Sequence, residues 1–571
     1  MMPTHASAKS LTLALLCTLS ALWVGCWGNG DLPPDQLVVL VPETDQSRNW
    51  IPRYVESPLG FEMTHNLYDG LYNPKVPQLY EESLVQSVEG VRDEGDERRE
   101  LTLKIRRGRY WLESKDDSEG PEVTAQTVAD AWRYIQETEG FPGRARYAGS
   151  IESVTALNDE TLRVTFRSPI SLALTAPEVL SFRIFPVPAQ RESIPLGSGA
   201  FVVGTGSSRG GGSYTLLEPA RFFPRIDGGE RPDVKIISKL SAADRLEEVG
   251  EGKAHVALAI PPYYQSRIRN AQHRETAPYN VWALAFSSRL SQAQRRELAA
   301  SLDAATLLEA FLQEGTYGSS SIWDSQGGKA ALLSPTVFPA NYEVFRCMGV
   351  QLERESIQGE LGTLAQRLLN EPVGFAKPMT NPAVLPQRLK VVFPDSGSFS
   401  EGVKSMADRL EELIEETFSG KQVRLEGQDP GTYDNTIKAL AQGTTDAHIA
   451  IVRLDYQRRC DASRHFKNDP DPGLHGGLFS WLSDEPGGAE LSWNSSLLET
   501  LRNQQACDAL VVPSLQVVQA VHDLAPAKFL FRMPSLIVFG NSVDLGVHDE
   551  FALAGMRNWI VLTQELRQGE E

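Results

Sequence analysis

The sequence predicts an α/β chain of at least two lobes, and three observations carry that expectation. The length, 571 residues, exceeds the ~250–300 at which a single hydrophobic core stops growing. The first half of the body reads as short strands with few helices, so its sheets are expected to be mixed. Residues 388–454 then read as strand, helix, strand, helix, strand, the succession of a parallel sheet covered by helices.

The elements follow in order from the N-terminus. Met1–Ser10 carries a single Lys9, and Leu11–Val24 is an apolar run ending at Gly25-Cys26. As a helix that run rises only ~21 Å, short of the ~30 Å hydrocarbon core, so it fits a signal-peptide core better than a membrane span. A cysteine directly after Gly25 resembles a bacterial lipoprotein cleavage site, although Trp23 stands where leucine is usual. Lipidation at Cys26, plain secretion and an uncleaved anchor remain open, with lipidation the leading expectation. Residues 27–36 read as a polar tether. Few cysteines follow (Cys347, Cys460 and Cys507), so no disulfide framework is needed to hold the fold, and one pair, Cys460 with Cys507 first, could be bridged.

Leu37–Val41 reads as a strand, and residues 100–111 alternate apolar and polar side chains with the period of a half-buried one. The mixed charges from Arg92 to Glu100 are expected to form a solvated loop. Thr124–Glu137 places Ala125, Val128, Ala131, Trp132 and Ile135 on one helical face. Asn158-Asp159-Glu160 turns a hairpin between two short strands. Later, Arg388–Phe393, Gln422–Glu426 and His448–Leu454 are strands. The helices between them are Glu401–Phe418, with Val403, Met406, Leu410, Leu413 and Ile414 at helical spacing, and Tyr433–Ala441.

Composition excludes some function classes. Hydrophobic residues make up 41% and charged residues 23%, values of an ordinary folded chain. A net charge of −19 argues against a nucleic-acid partner, since phosphate binding is driven by Lys and Arg. Three enzyme-like or metal-like patterns read better as loops. Gly206-Ser-Ser-Arg-Gly210 matches a nucleophile-elbow expression around Ser208, yet a strand follows it where a helix is required. Gly204–Gly210 lacks the lysine and helix of a phosphate cradle. Cys460, His465, Asp469, Asp471 and His475 crowd one segment without zinc-ligand spacing. No catalytic residue, metal or cofactor is expected.

Several short motifs, in order, resemble the extracytoplasmic solute-binding proteins of family 5, the peptide- and nickel-type binders of ABC importers. They are Asn66-Leu-Tyr-Asp-Gly-Leu71, Leu103–Trp111, Glu122–Trp132, Pro195-Leu-Gly-Ser-Gly-Ala-Phe201, and Tyr214–Phe223 followed by Gly228-Gly-Glu-Arg-Pro232. The resemblance implies a two-lobed, periplasmic-binding-protein-like fold of type II, in the large class with an extra small subdomain and with a hinge between lobes. Its boundaries would be a signal peptide at 1–25 and a lipid-anchored tether at 26–36. Lobe I would take 37–285 (subdomain about 76–195), lobe II 286–524, and 525–571 would return to lobe I. In that family an aspartate after a late strand pairs with the peptide ammonium, and Asp455 is the matching position, followed by Tyr456; the alternative is a surface carboxylate at a strand end partnered by Arg453 or Arg458. Val452 stands where the family has tryptophan, and Gln457–Asn468 is an insert before Asp469-Pro-Asp-Pro472. Trp282 and Phe286 are candidates to line the cleft, as is Trp111, each with a core role as the alternative. The implied function is a monomeric, lipid-anchored, extracytoplasmic binder that delivers peptides or similar polar solutes to an ABC permease. The alternative is a diverged envelope lipoprotein, structural or sensory, that keeps the fold without transport.

Overall fold

The structure, a computed structural model, describes residues 36–42, 64, 66–71, 84–89, 97–112, 120–138, 151–171, 197–204, 214–220, 231–238, 241–276, 280–313, 384–455 and 507–545. Shorter pieces lie within 332–370 and 478–497 and at 560–561. In chain order, β1 (Gln36–Leu40) is followed by β2 (Val85–Glu89), β3 (Glu97–Ile105), α1 (Ala125–Glu137), β4 (Ile151–Ala156) and β5 (Thr161–Ser171). Next come β6 (Phe201–Val203), β7 (Tyr214–Pro219), β8 (Asp233–Ile237), α2 (Ala242–Gly250), β9 (Val256–Ile260) and β10 (Ala271–Glu275). The chain continues through β11 (Asn280–Phe286), α3 (Gln292–Ser301), α4 (Ala304–Phe311), α5 (Gly359–Asn370), β12 (Arg388–Pro394) and α6 (Ser400–Thr417). Then follow β13 (Gln422–Gln428), α7 (Pro430–Ala441), β14 (Ile449–Asp455), α8 (Cys507–Leu524), β15 (Ala527–Phe531) and β16 (Leu536–Gly540).

Two mixed sheets organise the molecule. The first has seven strands in the order β10-β16-β9-β1-β8-β7-β6, with β1 parallel to β8 and β9. The second has five strands in the order β13-β12-β14-β11-β15, with β12 parallel to β13 and β14. The five-stranded sheet therefore contains the strand-helix-strand succession that periodicity indicates at 388–454. A four-stranded antiparallel sheet, β2-β3-β5-β4, packs with α1 beside the first sheet and shares its core. These are two lobes, the first with an added subdomain.

Local chemistry explains the subdomain. Thr124 caps α1 through a reciprocal box: its hydroxyl accepts from Thr127 N (3.3 Å), and its own N–H donates to Thr127 Oγ1 (3.0 Å). The buried face is Ala125, Val128, Ala129, Ala131, Trp132 and Ile135. Asn158 Oδ1 accepts from Glu160 N (3.0 Å) and Thr161 N (2.9 Å), which closes the expected hairpin. The charged run at 92–100 differs from expectation, because Glu97–Glu100 belong to β3. They pair with β5 (Glu97 opposite Ser171), and Arg99 donates from Nε to Phe166 O and from Nη2 to Glu152. An exposed strand face tolerates such charges when the ladder satisfies the backbone.

Two of the motifs from the sequence meet in space. Gly199 N donates to Leu67 O, Phe201 N to Asn66 O (both 2.9 Å), and Asp69 N to Ser198 Oγ (3.2 Å). A Cβ on Gly199 would lie 2.6 Å from Asn66 O and Leu67 C, so only glycine lets the segments approach. In the same lobe, His255 completes the seam of β1 and β9. Its Nδ1 accepts from Val38 N (3.0 Å), and its backbone N–H donates to Val38 O (2.9 Å). Burial without a charge partner pulls the imidazole pKa down to about 4.

The chain passes between the two main sheets twice, from β10 to β11 and from β15 to β16. The expected limit at 285/286 falls within the last step of β11 and that at 524/525 before β15, whereas both strands run in the five-stranded sheet. Around the crossings, side chains join the two connections. Thr276 N donates to Ser535 O (2.9 Å), and Ser535 N donates back to Thr276 Oγ1 (3.1 Å). Asn280 Nδ2 donates to Met533 O (2.7 Å), while its Oδ1 accepts from Met533 N (3.0 Å). Two adjacent connections are the geometry in which lobes swing about a shared axis.

Candidate binding cleft between the two sheets

Ligands of open α/β sheets sit outside the carboxyl ends of parallel strands. In the five-stranded sheet those ends are the turn after β12 (Asp395–Phe399), Asp429 after β13 and Asp455 at the end of β14. In the seven-stranded sheet β9 ends at Ile260 and leads into a 3-10 turn, Pro262–Arg267. These two sets of ends meet. Gly402, in the first turn of α6, lies so near the other lobe that a Cβ there would be 3.1 Å from Tyr263 Cε1. Tyr263 also meets Phe311 edge-on, with ring centroids 6.2 Å apart.

Behind this contact is one apolar cluster that draws on both sheets. Val38, Leu40, Ala257, Ile260, Leu536 and Val538 from the first join Leu284, Phe286, Leu389, Val391 and Ile451 from the second. At its centre Trp282 is 3% exposed, with its ring 5.0 Å from Phe311, 5.9 Å from Phe399 and 6.5 Å from Phe531. Burying each such ring contributes roughly 1.5–3 kcal/mol, and the aromatic pairs add about 0.5–1.5 kcal/mol each. The indole Nε1 of Trp282 has no hydrogen-bond partner among the described residues. A buried donor in that state costs about 1–3 kcal/mol.

The expected site residues take different places in this arrangement. Trp282 stands opposite Arg453 in the β11–β14 ladder, and the Arg453 guanidinium lies 5.8 Å from the centre of the Phe399 ring. Asp455 ends β14 opposite Asn280, the residue that joins the two crossings. Phe286 is fully buried at the far end of β11, within the same apolar cluster that draws on both sheets. Trp111 is buried in the core of the first lobe. Val452, where the resemblance implies tryptophan, is fully buried in a separate cluster with Tyr433, Ile437 and Leu440. The substitution therefore lies on the sheet face away from the Trp282 cluster. Asp429 caps α7, accepting from Thr432 N (3.1 Å), and the buried Tyr433 hydroxyl donates to Ile451 O (2.5 Å). These two bonds fix the helix that covers the outer face. Cys26, Tyr456, Ser208, Cys347 and the segment with Cys460, His465, Asp469, Asp471 and His475 lie outside the described residues.

Of the buried arginines among the described residues, two sit where an amphipathic helix should be apolar, and neither is among the residues expected from sequence. Arg245 shares the buried face of α2 with Ala242, Leu246 and Val249. Arg295 shares that of α3 with Leu298 and Ala299. A cation inside an i, i+3, i+4, i+7 stripe is the signal that marks them. Arg295 donates to Leu290 O (2.6 Å), to Leu524 O from Nε and Nη2 (3.2 Å each) and to Glu485 (3.2 Å), and it stacks over Trp481 at 4.6 Å. It ties α3, the end of α8 and the 480–485 turn together. Among the described residues no group of acidic, histidine or cysteine side chains could hold a metal ion, and no helix is long and apolar enough to cross a membrane.

Comparison with known proteins fits this geometry. Residues 76–331 match the profile of the bacterial extracellular solute-binding proteins, family 5 (middle). The fold is similar to that of the ABC-transporter substrate-binding protein CtaP from Listeria monocytogenes (TM-score 0.62, 15% identity, covering 94% of this chain and 100% of that one). It is also similar to OppA from Haemophilus influenzae, solved with the peptide RPPGFSPFR (TM-score 0.63, 14% identity, 94% and 100% covered). A third is NikZ from Campylobacter jejuni, solved with Ni(L-His) (TM-score 0.59, 14% identity, 93% and 100% covered). No curated protein sequence matches the chain. Through residues 76–331 the chain is thus similar in sequence to the family 5 bacterial extracellular solute-binding proteins, and its two-lobed fold is similar to that of the solved substrate-binding proteins.

Proposed function

We propose that the protein captures a peptide or a similar polar solute between its lobes and delivers it to an ABC permease, acting as a binder and not as an enzyme. The observation that carries this reading is the opposition of the two sets of parallel-strand ends across a doubly crossed hinge, within a chain that matches the family 5 profile. Asp455 would pair with a ligand ammonium, because a charge-assisted hydrogen bond is roughly twice as strong as a neutral one. Tyr456 and the indole N–H of Trp282 would supply further polar contacts, the latter gaining the acceptor it otherwise lacks. Phe286 would support the wall from behind. Main-chain pairing would hold the remainder of a peptide and tolerate varied side chains.

The same reading places a signal peptide at 1–25, a diacylated Cys26 and a short tether to β1, so that a monomeric protein works at the outer face of the membrane. More than one acyl chain is needed for a firm hold, at ~0.8 kcal/mol per buried methylene. Labelling with a radioactive or alkyne-bearing fatty acid tests the anchor: Cys26→Ser should abolish incorporation and release the protein. The experiment for binding is thermal stabilisation of ligand-stripped protein by peptide pools. Ligand at ~100 times its dissociation constant should add roughly 2.7 kcal/mol. Saturable stabilisation that is lost in Asp455→Ala supports the site, whereas no response to any pool favours a fold kept without transport.

A further inference from the structure

We infer that Arg245 is an interlobe latch: its guanidinium, seated in the first lobe, bonds Ser398 of the second and holds the lobes together without ligand. Arg245 is 1% exposed, on the face of α2 that packs against β9 and β16. Its Nη2 donates to Ala259 O (3.3 Å) and to Ser398 Oγ (2.9 Å), residues 14 and 153 positions away. Ala259 belongs to β9, in the seven-stranded sheet. Ser398 belongs to the turn between β12 and α6, in the other lobe. The bond therefore crosses the cleft.

Two further features are built around it. Ala259 has φ 53°, the left-handed region that a residue with a side chain seldom adopts, and it does so inside a strand. That twist presents its carbonyl to the guanidinium that reaches across. Four residues after Ser398, in the first turn of α6, Gly402 is closely approached from both lobes: a Cβ there would lie 2.6 Å from Phe311 O of the second lobe and 3.1 Å from Tyr263 Cε1 of the first. An arginine in the middle of an apolar helix face costs desolvation unless hydrogen bonds compensate. The Ser398 part of that compensation exists only while the lobes touch, so separating them removes that hydrogen bond from the guanidinium. The latch thus opposes opening, and a ligand that enters must act against it or wedge beside it.

The test is the interlobe distance in the full mature chain, purified without added ligand. Spin labels at Gln272 and Glu415, both exposed and in different lobes, would be read by electron–electron resonance in a background lacking Cys347, Cys460 and Cys507. Ser398→Ala removes one hydroxyl from a half-buried turn and leaves each lobe's core intact. The expected result is a shift of the distance distribution to longer values, with the open-to-closed ratio up about tenfold, equivalent to ~1.4 kcal/mol. Ser398→Thr, which keeps the hydroxyl, should restore the short distance. Arg245→Met should match Ser398→Ala in distance if it folds. An unchanged distribution in Ser398→Ala overturns the latch, and so does a Met variant that unfolds while the Ser398→Ala distance stays short. The readout uses no ligand, so its failure is distinct from a failure to bind peptides.

Discussion

Acidification should loosen the first lobe through His255, and the size of the effect can be worked from its surroundings. The imidazole accepts the Val38 N–H at Nδ1, so a proton at that nitrogen displaces a strand bond and places a charge in a buried seam. The ordinary imidazole pKa is near 6.5, and burial brings it to about 4 in the fold. Between those values the unfolded chain takes the proton and the folded chain does not. Stability from this group is therefore complete above pH 6.5 and falls as pH drops towards 4. The full gap amounts to about 3 kcal/mol. Urea unfolding at pH 7, 5.5 and 4 measures it in wild type and in His255→Gln, which keeps an acceptor but does not titrate. The variant should lose about 3 kcal/mol less than wild type across that range. Parallel losses in the two proteins, or a wild-type His255 that titrates near 6.5 by NMR, would refute the reasoning.

Three other substitutions probe separate parts of the account. Gly199→Ala forces a Cβ to 2.6 Å from Asn66 O and should destabilise by about 1–3 kcal/mol in the same assay. Arg295→Met strips Leu290 O, Leu524 O and the partly buried Glu485 of their donor, and should cost about 3–5 kcal/mol, seen as a lower denaturation midpoint. Asp455→Ala should leave the denaturation midpoint near wild type while weakening peptide binding by ~2–5 kcal/mol in calorimetry. Equal affinity in the two proteins would remove Asp455 from the site.

Periodic elements were legible from sequence, and contacts between distant segments were not. The face of α1, the Asn158 turn and the β12–β14 succession each follow from local spacing and capping, and the structure places them as expected. Residues 97–100 show no strand period in sequence, because charged side chains fill successive positions of that part of β3. β11 is NVWALAF, buried along its whole length, so its period could not show which sheet it joins. Its membership depends on pairing with β14 and β15, some 170 and 245 residues onward. A motif points to the aspartate at 455, yet its place beside the crossing residue Asn280 is a matter of ladder register. In the sequence Trp282 fits a core position as well as a cleft wall. It lies in an aromatic cluster where the two lobes meet, which no local pattern reports. The buried arginines carried a visible signal, a cation inside an apolar stripe, but their acceptors come from across the fold.

The most direct test of the central claim is native mass spectrometry of the protein purified from its own envelope without refolding. Capture between the lobes predicts a distribution of peptide-sized adducts that disappears in Asp455→Ala. A single ligand-free mass, together with no thermal shift from peptide mixtures, would contradict it.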